Sequence, residues 1–377
     1  MEDYYNTLLK HLNGYTVMGL FDGKRHVDEI VTLQTGHKGR VFFFDQEPLV
    51  RKVDEQLWDY IFQEPTIFAN SELNSADKNY VKQKYPNFID WYYFSNALLA
   101  REWFNSQSNS YAGWTDQKQT LLDCNLLDGP RQYRLYLVYL MYKLHYQHNS
   151  YISFNGDYNW KDELRNNVDF MDLLNEPQKY LNRMPTEKIS YDNWGKDQAT
   201  FNGLMQSRIP LEFYSKVNYI TVSETLCIEN KKHLTEKIFK PIAAGKPFLL
   251  VAGYENLKYL QSYGFKTFDS LWSEDYDIVV DPKERINKIF NLMNDINLDK
   301  TYLYGKESAE YNDACNNIKR KLNVFDQAHA IALDNRRYFW SDNFYNLLIN
   351  EALGNLELAK TELASKRIQA TTMMSST

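Results

Sequence analysis

The sequence predicts an α/β protein made of two Rossmann-like domains facing a cleft. Short apolar runs alternate with helix-like segments in the first third of the chain and again in the last third. That alternation is the pattern of a parallel sheet covered by helices. Residues 156–210, rich in Asn, Asp and Pro, separate the two alternating stretches. A chain of 377 residues is long enough for about two domains.

In the first half, residues 15–21 (YTVMGLF), 40–44 (RVFFF), 66–69 (TIFA) and 89–94 (IDWYYF) read as strands. Helix-like segments such as 50–62 and 77–84 lie between them. Residues 105–114 (NSQSNSYAGW) read as a loop, 131–145 as a long apolar helix and 151–154 (YISF) as a short strand. In the second half, 217–222 (VNYITV), 247–252 (PFLLVA) and 277–280 (DIVV) read as strands. Residues 234–244, 257–263, 285–298 and 301–322 read as helices, and the polar tail 364–377 as frayed. The expected domains are therefore 1–155 and 211–335, both Rossmann-like, with 156–210 irregular between them. Residues 336–377 are expected to form final helices.

Composition excludes several classes. The three cysteines, Cys124, Cys227 and Cys315, stand singly, which excludes a disulfide framework and any CxxC zinc or redox site. No window approaches ~18 uninterrupted apolar residues, so no transmembrane helix is expected. The opening MEDYYNTLLKHLNGY is acidic and lacks the basic-then-apolar order of a signal peptide. A cytoplasmic protein is expected. The net charge of −6 argues against a general nucleic-acid coat protein.

The most informative stretch is 223–253, SETLCIENKKHLTEKIFKPIAAGKPFLLVAG. A strand ends, a polar loop follows, and Thr235-Glu236-Lys237 opens a helix with Thr235 as N-cap. A helix N-terminus offers free N–H groups and a positive dipole end, which attract phosphate. Lys237 and Lys240 add positive charge in its first turns, and Glu236 is placed to accept hydrogen bonds from a ribose hydroxyl pair. Gly245 closes the helix and Pro247 starts the next strand. Taken alone, the TEK tripeptide also fits a capped surface helix with solvated charges.

The segment TEKIFKPIAAGKPFLLV resembles the donor-site segment of glycosyltransferases with the GT-B fold. It is similar to the fucosyltransferase pattern in which TEK opens the helix beneath the sugar nucleotide. The run LKYLQSYGFKTFDSLWSEDYD at 257–277 resembles the continuation in virus- and bacterium-encoded relatives. The resemblance implies an enzyme that moves a sugar from a nucleotide-diphosphate sugar to a hydroxyl, with inversion. It further implies that domain 1–155 holds the acceptor and 211–335 the nucleotide sugar, that the final helices at 336–377 cross back to the first domain, and that Glu224, Glu236 and Lys237 line the donor site; Ser223, at the end of the strand before them, is a further donor-site candidate. The loop reads SETLCIEN where fucosyltransferases carry Phe-Glu-Asn-Ser, so the sugar stays open.

Asp45-Gln46-Glu47-Pro48 follows a strand of the first domain and is expected to face the cleft. Fucosyltransferases carry a comparable glutamate, regarded there as the base. By that resemblance Glu47 is the first candidate for base catalysis and Asp45 the second. A loop carboxylate that caps the following helix is the competing reading. Arg131 and Arg134 sit three apart at the start of a helix and can point the same way. The related transferases place an arginine near this point for the leaving pyrophosphate. Exposed helix charges with buried stems fit them equally. Ser95 and Asn96, at the end of the fourth strand, are candidates for contacting the acceptor. Tyr219, Trp272 and Tyr276 could stack on a base or sugar, with core packing the simpler role.

No metal or other cofactor is expected. Asp275-Tyr276-Asp277 has an Asp-X-Asp form but precedes a strand late in the chain. His145 and His148 lack further ligands to complete a zinc set. No GxGxxG, GxxxxGK[ST] or GxSxG motif is present. The acceptor is expected to be a glycan or similar hydroxyl compound. A hydroxymethylated base in DNA is the alternative, with Lys319-Arg320-Lys321 and Arg336-Arg337 as a phosphate-tracking surface. A non-catalytic nucleotide- or sugar-binding module is the second alternative.

Overall fold

The computed structural model describes residues 3–21, 26–44, 55–105, 118–123, 132–153, 209, 211–228, 230–296 and 309–375. Its first elements in chain order are α1 (Asp3–Lys10), β1 (Thr16–Leu20), β2 (Val31–Gln34), β3 (Arg40–Phe44), α2 (Glu55–Ile61) and β4 (Thr66–Asn70). Next come α3 (Ala76–Lys84), β5 (Phe88–Tyr92), α4 (Ser95–Phe104), β6 (Lys118–Asp123), α5 (Gln132–Lys143), β7 (Ser150–Ser153) and β8 (Val217–Ser223). The remainder are α6 (Glu236–Ala244), β9 (Phe248–Val251), α7 (Asn256–Ser262), α8 (Pro282–Ile296), α9 (Ala309–Phe339) and α10 (Asp342–Ser375). The chain divides into two units. The first is Met1–Trp103 with Asn230–Thr235 and Trp340–Thr377; the second is Phe104–Glu229 with Glu236–Phe339.

The first unit is built on a mixed sheet of order β2-β1-β3-β4-β5, parallel except for β2 at the edge. Val17, Val41, Ile67 and Ile89 lie opposite one another in register and form one apolar row. On the other face Phe42 stacks on Phe68, and Trp58 and Phe62 of the α2 region pack against Phe68. Both faces are covered, which is why these strands read as continuous apolar runs rather than alternating ones. The cover on the Trp91 face includes α10, which packs on β5 and β4. The Trp91 indole N–H donates to the Ala352 carbonyl at 2.9 Å.

The second unit is built on a parallel sheet of order β7-β6-β8-β9. Thr120 and Thr221 share a buried hydroxyl–hydroxyl bond of 3.0 Å between its two central strands. Tyr219 stacks on Phe325 of α9, and Phe239 of α6 stacks on Phe339. Gly245 ends α6 at φ +70°, the left-handed turn that glycine adopts without penalty. There the Lys246 N–H reaches the Pro241 carbonyl and the Gly245 N–H reaches that of Ile242. A Cβ on Gly245 would meet Leu333 and Arg336 at 3.2 Å. No described helix is long and apolar enough to cross a membrane.

Several sequence expectations need correction. Residues 277–280 form no strand: Asp275–Ile278 is a 3-10 turn. The Asp277 carboxylate accepts the Leu257 and Lys258 N–H groups at the start of α7, and Ile278 and Val280 face solvent. The tail is not frayed, because α10 runs unbroken to Ser375. Ser95 and Asn96 open α4 rather than end a strand, since β5 stops at Tyr92. The strand β6 was not read from sequence, and with β7 it belongs to the sheet of the second unit, paired to β8. Residues 105–153, expected in the first domain, therefore lie in the second unit. Of residues 336–377, expected to return to the first domain, 336–339 are the end of α9 in the second unit. The expected irregular region 156–210 lies outside the described residues except for Ile209.

Candidate functional site

In the second unit, β8 ends at Ser223 and the chain turns toward α6. The Glu224 N–H continues the sheet pairing by donating to the Val251 carbonyl at 2.9 Å. The Glu224 side chain is fully buried and points its carboxylate at backbone donors. Oε1 accepts the Ile238 N–H at 3.3 Å and Oε2 accepts the Thr225 N–H at 3.2 Å. Ile238 is the third residue of α6, so Glu224 takes one of the helix's orphan donors, as an N-cap side chain would. A charged cap also suits the positive dipole end of the helix.

Three basic side chains fix the loop after β8. Arg134 of α5, buried, donates from Nη2 to the Glu224 carbonyl at 3.0 Å and the Ser223 carbonyl at 3.4 Å. Its Nε donates to the Tyr133 hydroxyl, which itself donates to the Glu224 carbonyl. Arg285 of α8, 1% exposed, donates to the carbonyls of Cys227 and Val279. Lys237 donates to the Thr225 hydroxyl at 3.2 Å. Arg134, expected to meet a pyrophosphate, is thus engaged in holding the strand–helix connection. Arg285 escaped the sequence reading, because a basic residue in the first turns of a polar helix looks like a solvated charge.

The first turns of α6 carry the charge of the site. Glu236, Lys237 and Lys240 are at most 7% exposed, and Thr235, just before the helix, is buried as well. Lys237 Nζ donates to Glu236 Oε1 at 2.8 Å. Burial pushes the Glu236 carboxyl up. The Lys237 ammonium beside it, with Lys240 further along, outweighs that and holds it below the usual carboxylate range. Lys240 is 2% exposed and makes no hydrogen bond among the described residues. The Ser223 hydroxyl, also buried, makes none either. Glu224 caps the helix as a carboxylate, so the two buried ammonium groups, Lys237 and Lys240, are matched in formal charge by Glu236 and Glu224 at the amino end of a nine-residue helix. Lys240, buried and without a hydrogen bond among the described residues, is the group there that an added acceptor would satisfy.

In the first unit, the carboxyl ends of β4 and β5 carry a second polar cluster. Asn70 donates to Asp90 at 2.8 Å and accepts the Glu72 N–H at 3.2 Å. Lys78 lies 3.0 Å from Asp90, and Lys231 pairs with Glu72 at 3.3 Å and Asp77 at 2.9 Å. The Lys231–Glu72 pair is almost fully buried. Beside this network the hydroxyls of Ser71 and Ser95 and the Asn96 amide nitrogen are buried without hydrogen-bond partners among the described residues. The adjacent parallel strand β3 ends at Phe44, and the candidate residues Asp45 and Glu47 beyond it lie outside the described residues, as does Arg131.

Other sequence candidates have structural roles. Asp275 pairs with Lys288 at 2.7 Å, and Asp277 caps α7. Arg336 donates to the Ala243 carbonyl at 3.0 Å, at the end of α6, and Arg337 pairs with Asp334. No group of three or more potential metal ligands is found among the described residues. Neither a scan against protein-family models nor a search of curated proteins finds a match to this chain.

Proposed function

We propose that the protein is a glycosyltransferase that moves a sugar from a nucleotide-diphosphate sugar to an acceptor hydroxyl, and that its two sheets belong to the two Rossmann-like halves of a GT-B enzyme working in the cytoplasm. The observation that carries this reading is the buried Lys240 ammonium at the start of α6, which makes no hydrogen bond among the described residues. A diphosphate supplies an acceptor for it and accepts from the helix N–H groups that Glu224 leaves unused. The same groups stabilise charge that develops on the diphosphate as it leaves, the role a metal ion plays elsewhere.

In this reading the acceptor hydroxyl is bound by the first unit, with Ser95 and Asn96 offering unsatisfied polar groups. Glu47, or Asp45 in its place, takes the hydroxyl proton as the oxygen attacks the anomeric carbon. General-base assistance of this kind is worth roughly 10²–10⁴-fold. The acceptor is a glycan or a similar polyhydroxy compound.

The test is incubation with UDP-, GDP-, CMP- and dTDP-sugars beside saccharide acceptors and hydroxymethylated DNA. Release of nucleoside diphosphate only when donor and acceptor are both present supports the reading, and the productive acceptor separates glycan from DNA. Binding of a sugar nucleotide with no transfer to any acceptor turns the assignment toward a binding module.

A further inference from the structure

We propose that the amino end of α4 is an anion site, which takes a carboxylate or phosphate group, and that the acceptor of the proposed reaction is therefore an acidic saccharide. Helix α4, ten residues long, begins without a side-chain cap. The Leu98 N–H donates to the Phe94 carbonyl at 3.4 Å, which makes Phe94 the N-cap. Ser, Thr, Asp or Asn at that position would accept the next N–H groups, and a phenyl ring has no acceptor to offer. The Ser95 N–H is met by the Tyr93 carbonyl at 2.9 Å. The Asn96 and Ala97 N–H groups have no hydrogen-bond partner among the described residues, and both residues are at most 1% exposed.

Unmet side chains stand at the same place. The Ser95 hydroxyl and the Asn96 amide nitrogen, on the first residues of the helix, are buried and make no hydrogen bond among the described residues. Helical side chains tilt toward the amino end, so both lean toward the open N–H groups. The Ser71 hydroxyl, just past β4, is a further such group. The parallel pairing of β4 with β5 runs to Asn70 opposite Tyr92, and the Tyr93 N–H then donates to the Asn70 carbonyl at 3.0 Å. Ser71 is therefore about one strand spacing, ~4.8 Å, from the backbone that turns into α4. Side chains alternate across a sheet, so Ser71 continues the row of Ile67 and Ala69, on the face of Trp91 and α10. Asp90 lies opposite Phe68 on the other face, paired with Lys78 at 3.0 Å, and Glu72 is paired with Lys231 at 3.3 Å. The carboxylates of that network are thus matched by lysines and leave the α4 donors unmet.

The unmet groups are donors: backbone N–H groups, an amide nitrogen, and hydroxyls that donate as readily as they accept. A buried donor left unmet is costly, and here several share one helix end. One water has too few lone pairs to accept from them all. A carboxylate or phosphate group offers several acceptor oxygens at one point, and its charge suits the positive end of the helix dipole. The burial of these residues calls for a small terminal group at the tip of its ligand rather than a bulky one. The anion site stands on the first unit alone; that its ligand is the acceptor saccharide rests on the glycosyltransferase reading.

The test is calorimetric titration of the full chain with glucuronate as the carboxylate, glucose 6-phosphate as the phosphate, and neutral glucose. At least one acid is expected to bind about tenfold or more tighter than glucose, the factor one charge-assisted hydrogen bond supplies. Ser71→Ala removes a hydroxyl that bonds nothing in the free chain and should weaken that acid about fivefold. Asn96→Asp sets a carboxylate beside the same N–H groups and should abolish its binding. Lys240→Met, in the other unit, should leave it intact. Binding of neither acid, equal affinity for acid and glucose, or binding unchanged in both Ser71→Ala and Asn96→Asp overturns the proposal. So does loss in Lys240→Met, since the acid then sits at α6. Transfer from sugar nucleotides separates this site from the reading it deepens. Acid-selective binding with no transfer from any donor supports the anion site and removes only the glycosyltransferase. Transfer with no preference for acidic over neutral saccharides overturns the acidic acceptor and leaves the glycosyltransferase standing.

Discussion

Glu224 and Ile238 are joined by a hydrogen bond of 3.3 Å from the Ile238 N–H to the Glu224 carboxylate, so the residue just past β8 caps the helix that starts twelve residues later. The cap makes the geometry of the loop and of the helix amino end interdependent. Glu224→Ala leaves the buried Ile238 N–H and the half-buried Thr225 N–H without this acceptor and is expected to destabilise the second unit by about 2 kcal/mol. Glu224→Gln keeps one acceptor oxygen and should cost less than half of that. Urea midpoints of the three proteins measure both effects.

Lys240 carries the trade between stability and function. Removing a buried ammonium that makes no hydrogen bond should raise stability, so Lys240→Met is expected to gain about 1 kcal/mol. The same change should weaken nucleoside-diphosphate binding by at least about tenfold. Thermal melts with and without ligand read out both. A variant that loses stability and keeps its affinity contradicts the role given to Lys240.

Two groups of the second unit give stability opposite slopes with pH. Burial raises the Glu274 carboxyl from 4.5 to about 7, against the Thr267 and Phe268 hydrogen bonds that lower it. Its folded state holds the proton more firmly than the unfolded chain does. That stabilisation is complete below pH 4.5 and lost as pH rises through 7. Burial, with the Lys246 charge nearby, lowers His329 from 6.5 to about 4. Its contribution is complete above pH 6.5 and lost as pH falls through 4. Glu274→Gln should therefore be more stable than wild type at pH 8, by about 3 kcal/mol, and the same at pH 4. His329→Leu should gain on wild type as pH falls from 6.5 to 4. Urea midpoints at pH 4, 6 and 8 separate the two.

The first unit depends on the last helix of the chain. Trp91→Phe removes the hydrogen bond to Ala352 and part of the ring contact, at an expected cost of roughly 1–3 kcal/mol. Truncation after Phe339 uncovers the β4–β5 face and should yield an insoluble or protease-sensitive product. Soluble expression and limited proteolysis check this.

Much of this architecture was legible because its strands are short apolar runs ended by polar loops. RVFFF and VNYITV could be nothing but buried strands, and Gly245 and Pro247 punctuate α6 unmistakably. The strand β6 was missed because KQTLLD mixes polar and apolar residues, and its strand character comes from pairing with β7 and β8 on both sides. DIVV was misread because its apolar residues are exposed and its Asp serves a neighbouring helix. The tail reads as polar because Leu363 is the last buried residue seen in α10 and residues 364–369 are exposed or half-buried, continuing the helix without burying an apolar side chain. At the candidate site, the sequence names Glu236, Lys237 and Lys240 from the TEK segment, and the structure buries all three at the start of α6. Arg134 and Glu224 are named from sequence as ligand contacts; in the structure Glu224 accepts from backbone N–H groups, and Arg134 donates to backbone carbonyls and the Tyr133 hydroxyl. That partnership links residues about 90 apart in sequence, as Arg134 and Glu224 are, and no local pattern reports it.

The account rests on a diphosphate held at the amino end of α6. The most direct measurement is calorimetric titration of UDP and GDP into the wild-type chain, Lys237→Ala and Lys240→Met. Binding of at least one nucleotide to the wild type, weakened about tenfold or more by each substitution, is the predicted result. Equal affinity across the three proteins, or no binding to the wild type, would contradict it.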